Sequence, residues 1–136
     1  MKLVLDASMA LAWVFERKNL QEIQAAETAL SQVANVETIV PSLWHTEIAN
    51  ALLVGERRGV ISRAQITDYL NKLSALPITT DPKPASHSQE TVMALAREYQ
   101  LTAYDATYLE LALRMNAALA TFDVALAKAM SQTTQT

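Results

Sequence analysis

The sequence contains no cysteine in 136 residues, so disulfide frameworks and thiolate metal sites are excluded. Glycine and proline are scarce, at two and four residues, and only the stretch 81–88 is rich in turn-forming residues. Uninterrupted apolar runs are also short, because none approaches the roughly 18 residues of a membrane span. Asp6 interrupts the N-terminal apolar run, which argues against a signal peptide. We therefore expect no membrane association and a cytoplasmic location.

The remaining composition is that of a globular chain, with 51% hydrophobic and 18% charged residues. The length suits one domain, which we predict over 1–131, followed by a polar tail at 132–136. A net charge of −3 argues against a protein that coats nucleic acid unspecifically. It leaves open an enzyme that acts on RNA.

Short apolar strands alternate with helical patterns along the chain, which is typical of an α/β domain with a mostly parallel sheet. Gly59 suits a helix C-terminus and Ser62 a helix N-cap. The patterns predict strands at 2–6, 37–40, 78–80 and 117–121. They predict helices at 7–16, 20–34, 41–58, 63–76, 86–100, 104–115 and 123–131.

Three aspartates lie where strands end or helices begin. Asp6 ends the first predicted strand and Asp123 follows the last, so both are expected at the edge of the sheet where functional groups gather. Asp105 opens the helix that follows TAY. Each of the three has an alternative role as a helix N-cap, which aspartate fills well.

Glu47 is harder to explain as a structural residue. At about 100° per residue it lies on the apolar face of its helix, close to Leu43 and Val54. Burying an unpaired carboxylate costs several kcal/mol, so Glu47 needs a partner. The alternatives are a salt bridge, with Arg58 as the nearest local candidate, or a position at a solvent-exposed edge of the stripe.

If the fold brings these four carboxylates together, their repulsion calls for cations, and an all-oxygen set favours Mg²⁺ or Mn²⁺ over zinc. Such sites commonly serve phosphoryl transfer. We expect Asp6, Glu47, Asp105 and Asp123 to be both the metal ligands and the catalytic residues. Three neighbouring polar residues are candidates for supporting roles: Ser8, Asn50 and Thr121.

Other polar and aromatic residues carry weaker signals. His45 and His87 lack metal-ligand spacing and are interpreted as surface or loop residues. No run interleaves basic and aromatic residues, so the aromatic side chains are interpreted as core or interface. The residues in question are Trp13, Trp44, Tyr104 and Tyr108.

Four stretches of the sequence resemble the PIN domain family, specifically the VapC-type toxin ribonucleases of toxin–antitoxin pairs. They are LVLDASMALAWVFE, VPSLWHTEIANALLVGERRGVIS, LTAYDATYLELALRMNAALATFD and the LAKA that follows. Carried over by position, the acidic metal site of the family falls on the same four carboxylates. The serine or threonine that often precedes the last aspartate in the family matches Thr121.

The resemblance implies a three-layer PIN-like fold with a short, mostly parallel sheet of four or five strands flanked by helices. It implies an Mg²⁺- or Mn²⁺-dependent endoribonuclease that hydrolyses RNA phosphodiester bonds by a metal-activated water. It also implies a homodimer and a cognate antitoxin protein that inhibits the enzyme. The segment 79–91 carries no family motif.

Two other functions stay open from the residues alone. A different Mg²⁺-dependent phosphoryl-transfer enzyme, such as a phosphatase, usually has a second aspartate two residues after the first, where this chain has Ser8. A non-catalytic protein-interaction module would use the four acids as caps and salt bridges. Arg57 and Arg58 are candidate phosphate contacts, and the apolar faces of the first two helices suit a dimer or antitoxin contact.

Overall fold

The computed structural model describes residues 1–133, where four strands alternate with seven α-helices. The strands are β1 (Lys2–Leu5), β2 (Glu37–Val40), β3 (Ile78–Thr80) and β4 (Ala118–Ala120). The helices are α1 (Ala7–Leu11), α2 (Leu20–Asn35), α3 (Leu43–Arg57), α4 (Arg63–Ser74), α5 (Gln89–Tyr99), α6 (Ala103–Met115) and α7 (Val124–Thr133). A short 3-10 turn at Ala85–His87 precedes α5.

The strands form one sheet in the order β3-β2-β1-β4, and every pair is parallel. Parallel neighbours need crossover connections, which the intervening helices supply. Leu3, Val4 and Leu5 of β1 are fully buried, as expected for a central strand covered on both faces. The α/β class with a parallel sheet flanked by helices is thus confirmed, with four strands in the described part of the chain.

The order of the strands defines a switch point between β1 and β4. The chain moves outward from β1 through β2 to β3 and then returns to the other side of β1. Because such crossovers are right-handed, connections that run in opposite directions lie on opposite faces of the sheet. A crevice therefore opens outside the carboxyl ends of β1 and β4, where α/β proteins bind their ligands.

Two helix boundaries follow their sequence signals closely. Gly59 takes a positive φ of 73° after α3, and Val60 donates its backbone N–H to the carbonyl of Gly55, which together form a Schellman-type ending. Ser62 and Gln65 form a reciprocal capping box at the start of α4.

Three predicted boundaries were wrong. The first helix ends at Leu11 instead of residue 16, since Trp13 and Val14 donate to carbonyls three residues back and the Trp13 indole bonds Ala26 of α2. Pro41 precedes α3 and is not part of it. The helix predicted over 86–100 is divided at Ser88 into the 3-10 turn and α5.

The last helix runs to Thr133, two residues into the predicted tail at 132–136. The rest of that predicted tail, 134–136, lies outside the described residues. Within 1–133, no helix combines the length and the apolar character that crossing a membrane requires.

Candidate active site

Residues at the ends of β1 and β4 meet at the switch point. The backbone N–H of Asp6 donates to the Ala120 carbonyl over 2.9 Å, which continues the ladder of the sheet by one residue. This register brings Asp6 beside Thr121, although 115 positions separate them in the sequence. The sheet itself therefore assembles this part of the site.

Asp6 is the buried centre of a hydroxyl network, with only 5% of its surface exposed. Its Oδ2 accepts hydrogen bonds from Ser8 Oγ at 2.7 Å and from Thr121 Oγ1 at 2.6 Å. Those hydroxyls in turn accept the backbone N–H groups of Phe122 and Asp123. The network offsets the cost of burying the carboxylate and fixes the turn that leads into α7.

Of the three aspartates that could have been helix N-caps, only Asp123 caps a helix with its side chain. Asp123 Oδ1 accepts the Leu126 N–H at 2.8 Å and caps α7. Asp6 precedes α1 but makes no side-chain cap bond. Asp105 lies within the first turn of α6, and Thr102 caps that helix. Capping therefore accounts for neither Asp6 nor Asp105.

Glu47 is held by a residue whose role the sequence did not reveal. Tyr108 on α6 is fully buried and donates its hydroxyl to Glu47 Oε1 at 2.5 Å. Tyr108 lies three residues after Asp105 and hence on the same side of α6. This spacing is the sequence signal that could have assigned Tyr108 to the site. Arg58 makes no ion pair with Glu47, and Asn50, proposed from sequence to orient it, makes no hydrogen bond to it within residues 1–133.

The electrostatics place the four carboxylates within reach of one another. Burial raises the pKa of Asp105 to about 6, and the negative charges of Asp123, Asp6 and Glu47 add to the rise. Burial also raises the pKa of Glu47, where the Tyr108 hydrogen bond acts in the opposite direction and the charge of Asp6 raises it further. The fold therefore concentrates negative charge in one crevice.

The donor chemistry of this crevice suits a hard divalent cation, because every charged ligand is a carboxylate oxygen. The mutual repulsion seen at Asp105 is the feature that such a cation would relieve. Within residues 1–133, no three carboxylate or histidine side chains are arranged to hold a metal ion as they stand. Three of the four instead use an oxygen to accept a protein hydrogen bond: Asp6, Glu47 and Asp123.

Several residues considered from sequence lie elsewhere. Arg57 ends α3 ten residues after Glu47, about 15 Å along the helix axis, and Arg58 follows the helix. His45 contacts the Thr80 hydroxyl at 2.9 Å. Tyr104, interpreted as a core or interface residue, is 62% exposed.

Arg17 is a cation that packs on the residue before Asp123, and no sequence pattern pointed to it. Its guanidinium lies 4.2 Å from the centre of the Phe122 ring and also bonds Glu22 at 3.1 Å. Phe122 stands between Thr121 and Asp123 in the chain, so Arg17 packs on the segment that carries the last acid of the site.

Comparisons with known proteins agree with this architecture. The sequence profile of the PIN domain matches residues 3–130. Ribonuclease VapC3 of Pyrobaculum aerophilum is 33% identical over 129 residues, which cover 94% of each chain. The crystal structure of PAE2754 from Pyrobaculum aerophilum superimposes with a TM-score of 0.71 at 25% identity, covering 95% of this chain and 84% of the other. The chain therefore belongs to the PIN domain family, among its VapC-type members.

Proposed function

We propose that this protein is a metal-dependent endoribonuclease that acts as the toxin of a toxin–antitoxin pair. The observation that carries the proposal is the crevice in which Asp123, Asp6 and Glu47 all raise the pKa of Asp105. Four acids from distant parts of the chain share one site, which is costly for a purely structural role. The printed name of the curated relative, a VapC ribonuclease, supports RNA as the substrate.

In this proposal, Asp6, Glu47, Asp105 and Asp123 hold one or two Mg²⁺ or Mn²⁺ ions. A bound ion would supply a Lewis acid that activates water and neutralises charge at the scissile phosphate. The protein contributes position: Ser8 and Thr121 fix Asp6, and Tyr108 fixes Glu47. Carboxylates held in this way need little rearrangement during the reaction.

The partners also remain proposals. A groove of about 490 Å³ lies between the end of α1 and α2, with Trp13, Arg17, Ile23 and Leu30 on its walls. Its apolar walls and exposed Leu30 support a helical partner, for which we propose the antitoxin. We further propose that the toxin forms a homodimer and acts in the cytoplasm.

RNA cleavage by the purified protein tests the enzymatic part of the proposal. We expect cleavage of single-stranded or looped RNA with Mg²⁺ or Mn²⁺, and at least a hundredfold loss with EDTA or in Asp6→Asn, on the order expected for losing a metal or ligand. Asp123→Asn should lose activity while keeping the α7 cap, because asparagine is also a good N-cap. The control is Asp68→Asn, a surface aspartate paired with Lys72 on α4.

Equal cleavage by the wild type, both site variants and the EDTA-treated protein would contradict the proposal. The toxin role is tested separately by expression in a bacterial host. Wild type should arrest growth, Asp6→Asn should not, and co-expression of the product of a neighbouring small reading frame should restore growth.

A further inference from the structure

A second cavity lies at the same edge of the sheet, beyond the ends of β2 and β3. Its volume is about 250 Å³. Pro41 and Leu43, which follow β2, and Val92 and Leu111 from α5 and α6 provide apolar walls. A further wall comes from the segment after β3, the part of the chain that carries no family motif.

The cavity and the acidic crevice are built from the same two helices. Tyr104 and Thr107 line the cavity and flank Asp105 on α6. Leu43 lines it one turn before Glu47 on α3. The acidic crevice and this cavity are therefore neighbours along the carboxyl edge of the sheet.

Ser88 provides an unused hydrogen-bonding group in the cavity wall. The residue is only 8% exposed, and it stands at the N-cap position of α5 without making a side-chain cap bond. Its hydroxyl has no hydrogen-bond partner in the described range 1–133. Within 1–133, the enclosed side-chain polar atom that lacks a partner is Trp44 Nε1, whereas the Ser88 hydroxyl is open to the cavity and free to bond a ligand there.

The charged lining is arranged to accept hydrogen bonds without excess negative charge. Arg114 bonds Asp81 Oδ2 at 2.6 Å and Glu110 Oε1 at 2.8 Å. Because a carboxylate accepts about four hydrogen bonds, Asp81, which already accepts from Lys83 N–H and twice from Arg114, keeps about one acceptor position. Glu110, which accepts twice from Arg114, keeps about two. Lys83 adds an exposed cation at the rim of the cavity.

We propose that this cavity binds one nucleobase of single-stranded RNA, next to the phosphate at the acidic crevice. The inference rests on the proposed ribonuclease function and names a specificity pocket for it. Tyr104, with 62% of its surface exposed, offers a face for stacking, and Ser88, Asp81 and Glu110 contact the base edge. Lys83 contacts the flanking phosphate.

The size of the cavity agrees with a single base. Pockets for drug-sized ligands span about 300–1,000 Å³, and this cavity lies just below that range. The segment 79–91 then acquires a role, since Asp81, Lys83 and Ser88 belong to it. Different residues in this segment would give related enzymes different base preferences.

Kinetics on an RNA that the wild type cleaves will test the pocket. Tyr104→Ala should raise KM about fivefold to 100-fold, the range expected for losing one stacked base, and leave kcat within about twofold. Ser88→Ala and Lys83→Ala should raise KM about threefold to tenfold each. Matched controls are Leu113→Ala, Ser31→Ala and Lys128→Ala, which lie outside the cavity lining and should leave KM unchanged.

An abasic nucleotide, placed in turn at each position beside the cut, separates stacking from an indirect effect on Asp105. At one position the abasic nucleotide should raise the KM of the wild type as much as Tyr104→Ala does. The KM of Tyr104→Ala should not rise further with the same abasic substrate. The base-binding pocket would be overturned if the abasic nucleotide and Tyr104→Ala raised KM additively. It would also be overturned if the cavity variants had the same KM as the controls. A changed oligomeric state in light scattering with unchanged KM would also overturn it and identify the cavity as a contact between copies.

The pocket and the ribonuclease function can fail separately. If the protein cleaves RNA and its KM does not depend on Tyr104 or Ser88, the base-binding pocket is refuted and the ribonuclease function is not. If the wild type cleaves no RNA, the proposed function fails, and fluorescence anisotropy of a labelled oligonucleotide decides on the pocket. Equal affinity of the wild type, cavity variants and controls in that measurement would overturn it, whereas weaker binding by the cavity variants alone would support it.

Discussion

At the residue scale, the clearest feature is that each acid has a different local environment. Asp6 is enclosed by two hydroxyls, Asp123 caps a helix, and Glu47 accepts from a buried tyrosine. Burial and the three neighbouring charges raise the pKa of Asp105, and the hydrogen bond with the Thr102 side chain offsets this rise only in part. Ionisation of Asp105 is therefore unfavourable in the folded protein when no cation is bound.

Asp105→Asn should stabilise the metal-free protein at pH 8. The folded-state pKa of Asp105 is raised to about 6 from 3.8, so its favourable contribution is complete below pH 3.8 and is lost as the pH rises through 6. Asparagine carries no charge and so removes that loss. We expect the free energy of unfolding at pH 8 to increase by about 1 kcal/mol after allowance for solvent screening. Urea unfolding in EDTA at several pH values measures it.

The gain should shrink as the pH falls from 8 to 4.5, because wild-type Asp105 is then largely protonated. Asp68→Asn provides the comparison on the exposed surface of α4, where no such pH-dependent gain is expected. A gain for Asp105→Asn that is equal at pH 8 and pH 4.5 would show that repulsion in the crevice is not its cause.

At the scale of elements, α3 and α6 come from different parts of the chain and are joined through one hydrogen bond at the site. Tyr108 of α6 reaches Glu47 of α3 across 61 residues of sequence. The same helix carries Asp105 into the crevice and Arg114 to the end of β3. Helix α6 therefore positions groups in both the acidic crevice and the second cavity.

Tyr108→Phe should lower the rate of RNA cleavage strongly and the free energy of unfolding only moderately. The loss of a hydrogen bond to a charged group costs about 1.5–3 kcal/mol, and the pKa of Glu47 should rise further because the Tyr108 bond lowers it. We expect kcat to fall at least tenfold and the half-maximal Mn²⁺ concentration to increase. Activity assays across Mn²⁺ concentrations, with urea unfolding in parallel, measure both effects.

Tyr69→Phe is the matched control, because Tyr69 is also buried and donates its hydroxyl to the Ala10 carbonyl at 2.6 Å. It should lose a similar amount of stability and keep its Mn²⁺ dependence. If the two variants lose activity equally, Tyr108 contributes only to packing.

At the scale of the whole molecule, the site is a product of topology. The four acids lie at positions 6, 47, 105 and 123, and the parallel order β3-β2-β1-β4 brings them to one edge. A cation that bridges them would tie together both ends of the chain and the middle. Binding should therefore be measurable as global stability.

Mn²⁺ should raise the melting temperature of the wild type. A ligand at a hundred times its Kd stabilises the folded state by about 2.7 kcal/mol, or about 5–15 °C for a chain of this size. Asp123→Asn should lose most of this shift while keeping its cap, and Asp68→Asn should keep it. Equal shifts in all three proteins, by differential scanning fluorimetry, would mean that Mn²⁺ binds elsewhere.

Much of this arrangement could be predicted from the sequence. Apolar strands, Gly59, Ser62 and the position of Glu47 on its helix are local signals, and the structure contains the elements they predict. The bond from Tyr108 to Glu47 was not predictable, since a buried tyrosine looks the same in sequence whether or not its hydroxyl has a distant partner. The second cavity was missed because Tyr104 and Ser88 become neighbours only after α5 packs against α6.

The position of β4 has a consequence for the chain while it is being synthesised. Of the four strands within residues 1–133, β4 leaves the ribosome last, yet it pairs with β1, which leaves first. Asp6 cannot meet Thr121 and Asp123 until residues up to about 123 have emerged, so the earlier part of the chain cannot form the crevice. The proposed nuclease activity would thus begin only after β4 has been synthesised, however early the first three strands fold.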